Sequence, residues 1–464
     1  MDKIYSFGYL FTLILGPLSS GICLSIFGAY SDLFMETRKI GKDSAHYAAI
    51  ITTMIPIGAF VSSILFPFFC KWGKRIGLII SGILAILGAS ASAFLSDPVS
   101  TESSAIYMFY LGRFLLGMSV GLYISITPSY LVEIAPNGYE SIFGSCYQLS
   151  ITVGVAFSSI IGIYISNELA SMKEKIHTVQ FVSIIPCIAP GLQILFLIFN
   201  YTYDSPANYY REGNTKKAQE ALNLIYSDDT IASKKLKELK PIGPVTPGDP
   251  SHNKSFYSAY KIAVWVGIGL PIIQQLTGIN IVTMYSPMVF SSQGEFGKVL
   301  IVLLNITNTI SSLLSVFAVN NFGRRTLMLF GCLGCGLTLF ACSFFYPSGI
   351  TKGQMSMKDL LFICSIFGYI MIYQLSHGPI TWLYLAEVLP DNWVGIGSAM
   401  SSLFSIAISY TTPILFTVIG NLIFSLYGIF MFLSGFFLWV FMKESKGKRR
   451  QDLQNEYLVH SKTD

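Results

Sequence analysis

The sequence predicts an all-α membrane protein of twelve transmembrane helices in two pseudo-symmetric six-helix halves, and three observations carry that prediction. Of its 464 residues, 52% are hydrophobic and 12% charged, about half the charge of an ordinary soluble domain. Apolar runs recur from Phe7 to Met442, each reaching the roughly 20 residues that cross a hydrocarbon layer about 30 Å thick. Two short motifs occur twice at nearly one offset. Gly73-Lys74-Arg75 returns as Gly323-Arg324-Arg325, and Glu133-x-x-Pro136 returns as Glu387-x-x-Pro390, which is the mark of duplicated halves.

The first half, residues 1–200, holds predicted spans at 8–31, 45–69, 76–96, 105–131, 141–165 and 177–200. Met1-Asp2-Lys3 leads directly into an apolar stretch without the short core and small-residue cleavage site of a secretory signal, so it reads as a first span. Residues 201–258 are polar, with a short amphipathic helix near 216–222 and a Pro/Gly-rich linker at 241–250. The second half, 259–442, holds spans at 259–290, 297–320, 325–346, 358–388, 395–417 and 422–442, and 443–464 is a tail.

Charge sets the orientation. With both termini on one side, that side carries 21 of the 30 Lys and Arg residues and the other side eight, with Arg113 left inside a span. Both termini and the linker are therefore predicted to be cytoplasmic. The net charge of +5 resides in these loops and the tail, where it faces anionic lipid, so nucleic acid is not an expected partner. The sequons at Asn200, Asn253 and Asn305 fall in the linker or a span and are not expected to be glycosylated.

All eight cysteines lie in or beside apolar stretches and form no extracellular disulfide framework. Cys332-x-x-Cys335 has no His or second Cys pair close by in sequence, so it reads as helix packing, and no metal or cofactor is expected. His377 has no Ser, Cys or acid at catalytic spacing, which argues against an enzyme.

The polar residues inside the spans are the most informative. All 25 Asp and Glu residues lie in loops, the tail or span ends. A mid-span carboxylate costs a few kcal/mol and is usually kept for ion or proton work, so its absence favours passive, solute-only transport. Neutral groups do lie deep: Gln148, Gln274, Gln275, Asn280, Tyr285, Asn305, Asn308, Gln374 and Trp382. Amides both donate and accept, matching the hydroxyls of a neutral sugar, and an indole stacks on a pyranose face. Each amide alone also fits an interhelical hydrogen bond; their concentration early in the second half weighs towards a ligand. Pro56, Pro128, Pro186, Pro271, Pro379 and Pro413 fit helices that bend around a cavity, or ordinary packing kinks.

From about Gly16 to Met442 the chain resembles the sugar porter family of the major facilitator superfamily. Gln274-Gln275-Leu276-Thr277-Gly278-Ile279-Asn280 with Tyr285 and Phe290 is similar to the family's Q-Q-x-[ST]-G-I-N-x4-Y-x4-F pattern. Asn308 through Gly323-Arg324-Arg325, and Gly378-Pro379-Ile380-Thr381-Trp382 with Glu387 and Pro390, resemble two further family segments. Gly112-Arg113, Gly117, Gly121, Pro128, Tyr130, Glu133, Pro136 and Gln148 fit its fourth and fifth helices, and Tyr203-Asp204-Ser205-Pro206 looks like P-E-S-P.

The resemblance implies sugar contacts from Gln148, Gln274, Gln275, Asn280, Asn308 and Trp382, with Gln374 at a position often acidic in glucose transporters. It implies gating roles for Tyr285 near an extracellular gate, for Arg113 in the fourth helix, and for Arg75, Glu133, Arg324, Arg325 and Glu387 in a cytoplasmic charge latch.

Departures from the pattern are equally specific. Symporters of the family carry an Asp in the first helix, where this chain has Cys23, so the proton site is missing. Cys70 and Asn320 replace the acid before G-R-[RK], and Glu140 and Val394 replace the Arg after E-x-x-P, which implies a weakened cytoplasmic gate. The expected function is facilitative hexose transport, glucose first, by alternating access in the plasma membrane. The monomer is the expected working unit, and the sequence leaves oligomeric state open. Alternatives are proton–hexose symport through an acid such as Asp32 or Glu36, and a sugar sensor, for which the tail is short.

Overall fold

A computed structural model describes residues 2–37, 44–94, 102–165, 172–226, 228–239, 257, 260–280, 282–283, 290, 295–347, 356–448 and 450–458. Among them there is no strand. Among the described residues eleven helical segments are long and apolar enough to cross a membrane, and Lys261–Leu276 is a shorter apolar helix. The chain is thus a multi-pass, all-helical membrane protein.

The N-terminal half consists of α1 (Asp2–Thr37), α2 (Ser44–Phe69), α3 (Lys74–Phe94), α4 (Glu102–Ile134) and α5 (Glu140–Tyr164), then a sixth span in two pieces. Pro186 interrupts that span: α6 (Met172–Ile184) and α7 (Ile188–Phe199) meet through a short 3-10 turn, because a proline has no N–H to continue the ladder. Pro17 lies inside α1 and frees the carbonyl of Leu13, four residues back. Gln193 of α7 repairs this, donating from Nε2 to Thr12 O at 3.1 Å and Leu13 O at 3.3 Å while its Oε1 accepts from the Tyr123 hydroxyl at 2.8 Å. Hydrogen bonding from a neighbouring helix makes a kinked helix tolerable in hydrocarbon.

Among the described residues the polar connection holds α8 (Pro206–Arg211), α9 (Thr215–Ile225) and α10 (Asp229–Glu238), of which α9 takes in the amphipathic stretch read from the sequence. The C-terminal half holds α11 (Lys261–Leu276), α12 (Glu295–Asn321), α13 (Arg324–Phe344), α14 (Met357–Leu375), α15 (His377–Val388), α16 (Asp391–Ile419) and α17 (Leu422–Phe441). Two predicted spans of this half are therefore discontinuous. The seventh stops at Leu276 because Gly278 takes φ +84°, a conformation that ends helices. The tenth breaks at Ser376 (φ −125°, ψ −84°), two residues before Gly378-Pro379.

Within the halves α2 packs on α4, α1 on α5 and α13 on α17; between them the seams are α5 against α12 and α2 against α16. Backbones approach closely at glycine: a methyl on Gly117 would overlap the carbonyl of Ile55, and one on Gly154 that of Leu18. Small residues at such crossings are how helices pack without a hydrophobic drive. Phe317, Val418, Phe436 and Trp439 face outward and exposed, as a lipid-facing belt requires. The tail adds α18 (Arg450–Leu458), a helix that the sequence did not announce. Its Leu453 and Tyr457 are buried, the Tyr457 hydroxyl pairs with that of Tyr384 at 2.6 Å, and Gln454 donates to Val388 O at 2.7 Å.

Candidate functional site

The break between α14 and α15 builds the centre of the molecule. It sets the start of α15 against the end of α11, where Gln274 Nε2 approaches the carbonyls of His377 and Gly378, at 3.3 and 3.5 Å. Gln374, in the last turn of α14, donates to Asn308 Oδ1 of α12 at 2.6 Å and accepts from Gln148 Nε2 of α5 at 3.3 Å. A Cβ on Gly378 would overlap the Gln374 side-chain oxygen, so a larger residue here would push that amide aside. The result is a chain of uncharged amides, Gln148–Gln374–Asn308, that crosses from one half to the other.

A second group surrounds the end of α11. Gln275 Nε2 donates to Ser401 Oγ at 3.0 Å, and Asn280 Nδ2 donates to Gln275 Oε1 at 3.0 Å. The turn is fixed by Thr277, whose hydroxyl donates to Gln274 O at 2.7 Å and whose carbonyl accepts from Tyr369 at 2.9 Å. Gln148, Gln274 and Gln374 are buried, whereas Gln275, Asn280 and Asn308 are half-buried. Trp382 lies on α15 with its ring 6.2 Å from that of Tyr147 at 70°. Tyr285 lies outside the described residues. Asn305, also read as a deep amide, donates to Ser159 Oγ at 2.7 Å across the α5–α12 seam.

One correction concerns Cys332-x-x-Cys335, read from sequence as having no histidine nearby. The fold brings His377 Nε2 to 3.6 Å from Cys332 Sγ, a contact spanning 45 residues that spacing alone does not show. Among the described residues no group of three His, Cys, Asp or Glu is placed to hold a metal.

The end of the bundle that carries the linker, called the linker end below, holds a network of charged residues. Lys74, 2% exposed, donates to Glu133 at 2.7 Å, to Ser129 Oγ at 3.1 Å and to Asp391 at 3.1 Å. Arg211 of α8 reaches Asp391 at 2.7 Å, and Ser205 donates to Glu133 at 2.5 Å. The repeat-related arrangement in the other half joins Arg324 to Glu387 at 2.9 Å, with Ser445 donating to Glu387 at 2.6 Å. Each half also reaches over: Lys74 to Asp391, and Arg324 to Ser141 Oγ at 2.7 Å.

Asp391 escaped the sequence reading. It follows Glu387-x-x-Pro390 directly, and its burial beside Lys74 depends on two helices more than 300 residues apart. Its carboxylate forms with Lys74 an ion pair that joins the two halves at this end. Burial raises the Asp391 carboxyl, but Lys74, Arg211 and Arg450 outweigh it and hold the group well below the usual carboxylate range.

Arg75 and Arg325 do not pair across the seam. Arg75 donates to Leu197 O and Tyr201 O, and Arg325 to Trp439 O at 2.5 Å. Their helices begin on acids instead: Asp204 accepts the Arg75 N–H at 3.1 Å, and Glu444 accepts the N–H groups of Arg324 and Arg325 at 2.8 and 3.1 Å, the favoured place for a carboxylate. Burial raises the Asp204 carboxyl, against the N–H bonds from Ser205 and Arg75. Arg113 belongs to neither network. It is buried in α4, donates to Cys23 O at 3.1 Å and lies 5.3 Å from the Phe27 ring centre; among the described residues it contacts no carboxylate.

Two helical halves, discontinuous spans at their interface and uncharged amides shared between them define a secondary transporter of the major facilitator type. The family described as sugar (and other) transporter matches residues 7–457, and the chain belongs to it, within the sugar porters of that superfamily; it is a transporter and not an enzyme. Sugar transporter ERD6-like 6 of Arabidopsis thaliana is 27% identical over 441 residues, covering 90% of this chain and 84% of that protein. Hexose transporter 1 of Plasmodium knowlesi is 25% identical over 427 residues, covering 87% and 82%. The fold matches the proton:xylose symporter XylE bound to 6-bromo-6-deoxy-D-glucose, with TM-score 0.86 at 21% identity, over 98% of this chain and 100% of that one.

Proposed function

We propose that this protein carries a hexose, glucose first, down its concentration gradient by alternating access, with the two halves rocking about the amide chain. The observation that carries the reading is the Gln148–Gln374–Asn308 chain, whose groups donate and accept without charge and so match a polyhydroxylated neutral solute. Gln275, Asn280 and Trp382 complete the binding surface, and Gln274 holds the broken tenth span in shape while facing the same centre. The linker end is the cytoplasmic end, the membrane is the plasma membrane, and a monomer with no cofactor suffices.

Uniport is supported by Cys23 beside Arg113, at the place where symporters of the family carry an acid. The second reading, proton coupling, draws on the likeness to XylE, which is described as a proton:xylose symporter. Of the acids considered for it, Glu36 is exposed and paired with Lys175 at 2.5 Å, an arrangement that suits a surface ion pair. The test is uptake of labelled glucose by Gln148→Ala and Asn280→Ala variants at equal surface abundance. Each lost amide is expected to reduce affinity by about ten- to a hundredfold, from roughly 1–3 kcal/mol per unmatched hydroxyl; unchanged kinetics would remove these residues from the site.

A further inference from the structure

One buried polar group beside the amide chain has no role in the site as described. Tyr147 is 1% exposed, next to Gln148 on α5, and among the described residues its hydroxyl has no hydrogen-bond partner. Its ring meets Trp382 edge to face across the boundary between the halves.

The register of α5 against α15 fixes where this pair lies. A Cβ on Gly378 would be 3.4 Å from Gln148 Cγ, one on Gly144 would overlap Leu383, and Ser141 takes the Arg324 side chain. Trp382 follows Gly378 by four residues, about 6 Å along the helix, on the side of Asp391. The aromatic pair is therefore the first layer beneath the amides, between them and the linker-end latch.

Buried phenols ordinarily find a hydrogen-bond partner. A phenylalanine would fill the same space against Trp382 without leaving an oxygen unpaired. The phenol both donates and accepts, as a sugar hydroxyl does, and it stands one residue from the amide chain. Resting on the sugar reading of that site, we infer that Tyr147 is a further sugar-recognition residue. Its hydroxyl bonds one ring hydroxyl of the sugar from the linker side, while Trp382 offers its ring to the apolar face.

The test is Tyr147→Phe, which removes one oxygen and keeps the packing. Equilibrium binding of glucose and of each mono-deoxyglucose is measured on purified wild type and variant, with melting temperature recorded alongside. In wild type the analogue lacking the contacted hydroxyl binds about tenfold weaker than glucose. In Y147F glucose itself weakens about tenfold and that one analogue loses its penalty, while the others keep theirs. A purely structural tyrosine would move the melting temperature and leave the pattern intact. If every penalty persists in Y147F, the inference is wrong though the sugar site stands; if wild type binds no sugar, the site reading falls and Tyr147 with it.

Discussion

Replacing Asp391 by Asn removes a carboxylate that Lys74 and Arg211 share across the linker end. Arg211 is 39% exposed and returns to water, so its share is about 1 kcal/mol or less. Lys74 and Asp391 are 2% and 3% exposed, and breaking such a buried pair from one side costs about 3–5 kcal/mol. Glu133, at 2.7 Å from Lys74, still compensates part of the charge, which brings the estimate to roughly 2–4 kcal/mol. Opening separates the halves and hydrates both groups, so most of this energy distinguishes the closed from the open linker end. The variant should shift that equilibrium roughly thirty- to several-hundredfold towards opening. Spin labels at exposed Asn137 and Lys446, with exposed Cys364 replaced by serine, report the separation at that end. A longer, broader distance distribution in D391N is expected, and a distribution identical to wild type would refute the latch argument.

Acidity should leave this latch alone over the physiological range. Because the folded-state Asp391 carboxyl is held below its ordinary value, its contribution is complete above the ordinary carboxylate range and is lost only as pH falls through the depressed value. The same label pair should give one distribution from about pH 7.5 to 5; widening within that interval would place the controlling titration elsewhere. Gln193→Leu strips the donors from Thr12 O and Leu13 O at the Pro17 kink and orphans the Tyr123 hydroxyl. A loss of about 1–3 kcal/mol should lower the melting temperature of the solubilised protein, and an unchanged melt would mean the carbonyls have other donors.

The periodic apolar runs disclosed the spans because length and hydropathy are local properties. Where the chain departs from a continuous helix, the cause is also local, at Pro186, Gly278 and Ser376-His377-Gly378-Pro379, yet the sequence alone leaves kink and break indistinguishable. The deep amides were visible as amides, but which pairs they form was not. Gln374 joins Asn308 and Gln148 over separations of 66 and 226 residues, while Gln274 turns to backbone carbonyls. The repeated Glu-x-x-Pro and Gly-basic-basic motifs marked the linker-end charge network, and they drew attention to Arg75 and Arg325 where Lys74 and Arg324 make the cross-seam contacts. Asp391 has no repeat-related acid, since Asn137 stands at the matching place, so the duplication that exposed the other latch residues concealed this one. The tail helix escaped for a different reason: a nine-residue polar segment is marginal by itself and is held by docking on Tyr384 and Val388.

Passive carriage of an uncharged sugar is tested most directly by reconstituting the purified protein in vesicles loaded and bathed with equal labelled glucose, then imposing a pH difference. Internal label that stays level with the bath, with rapid exchange intact, is the predicted result. Label that accumulates under the pH difference and collapses when a proton uncoupler is added would contradict it.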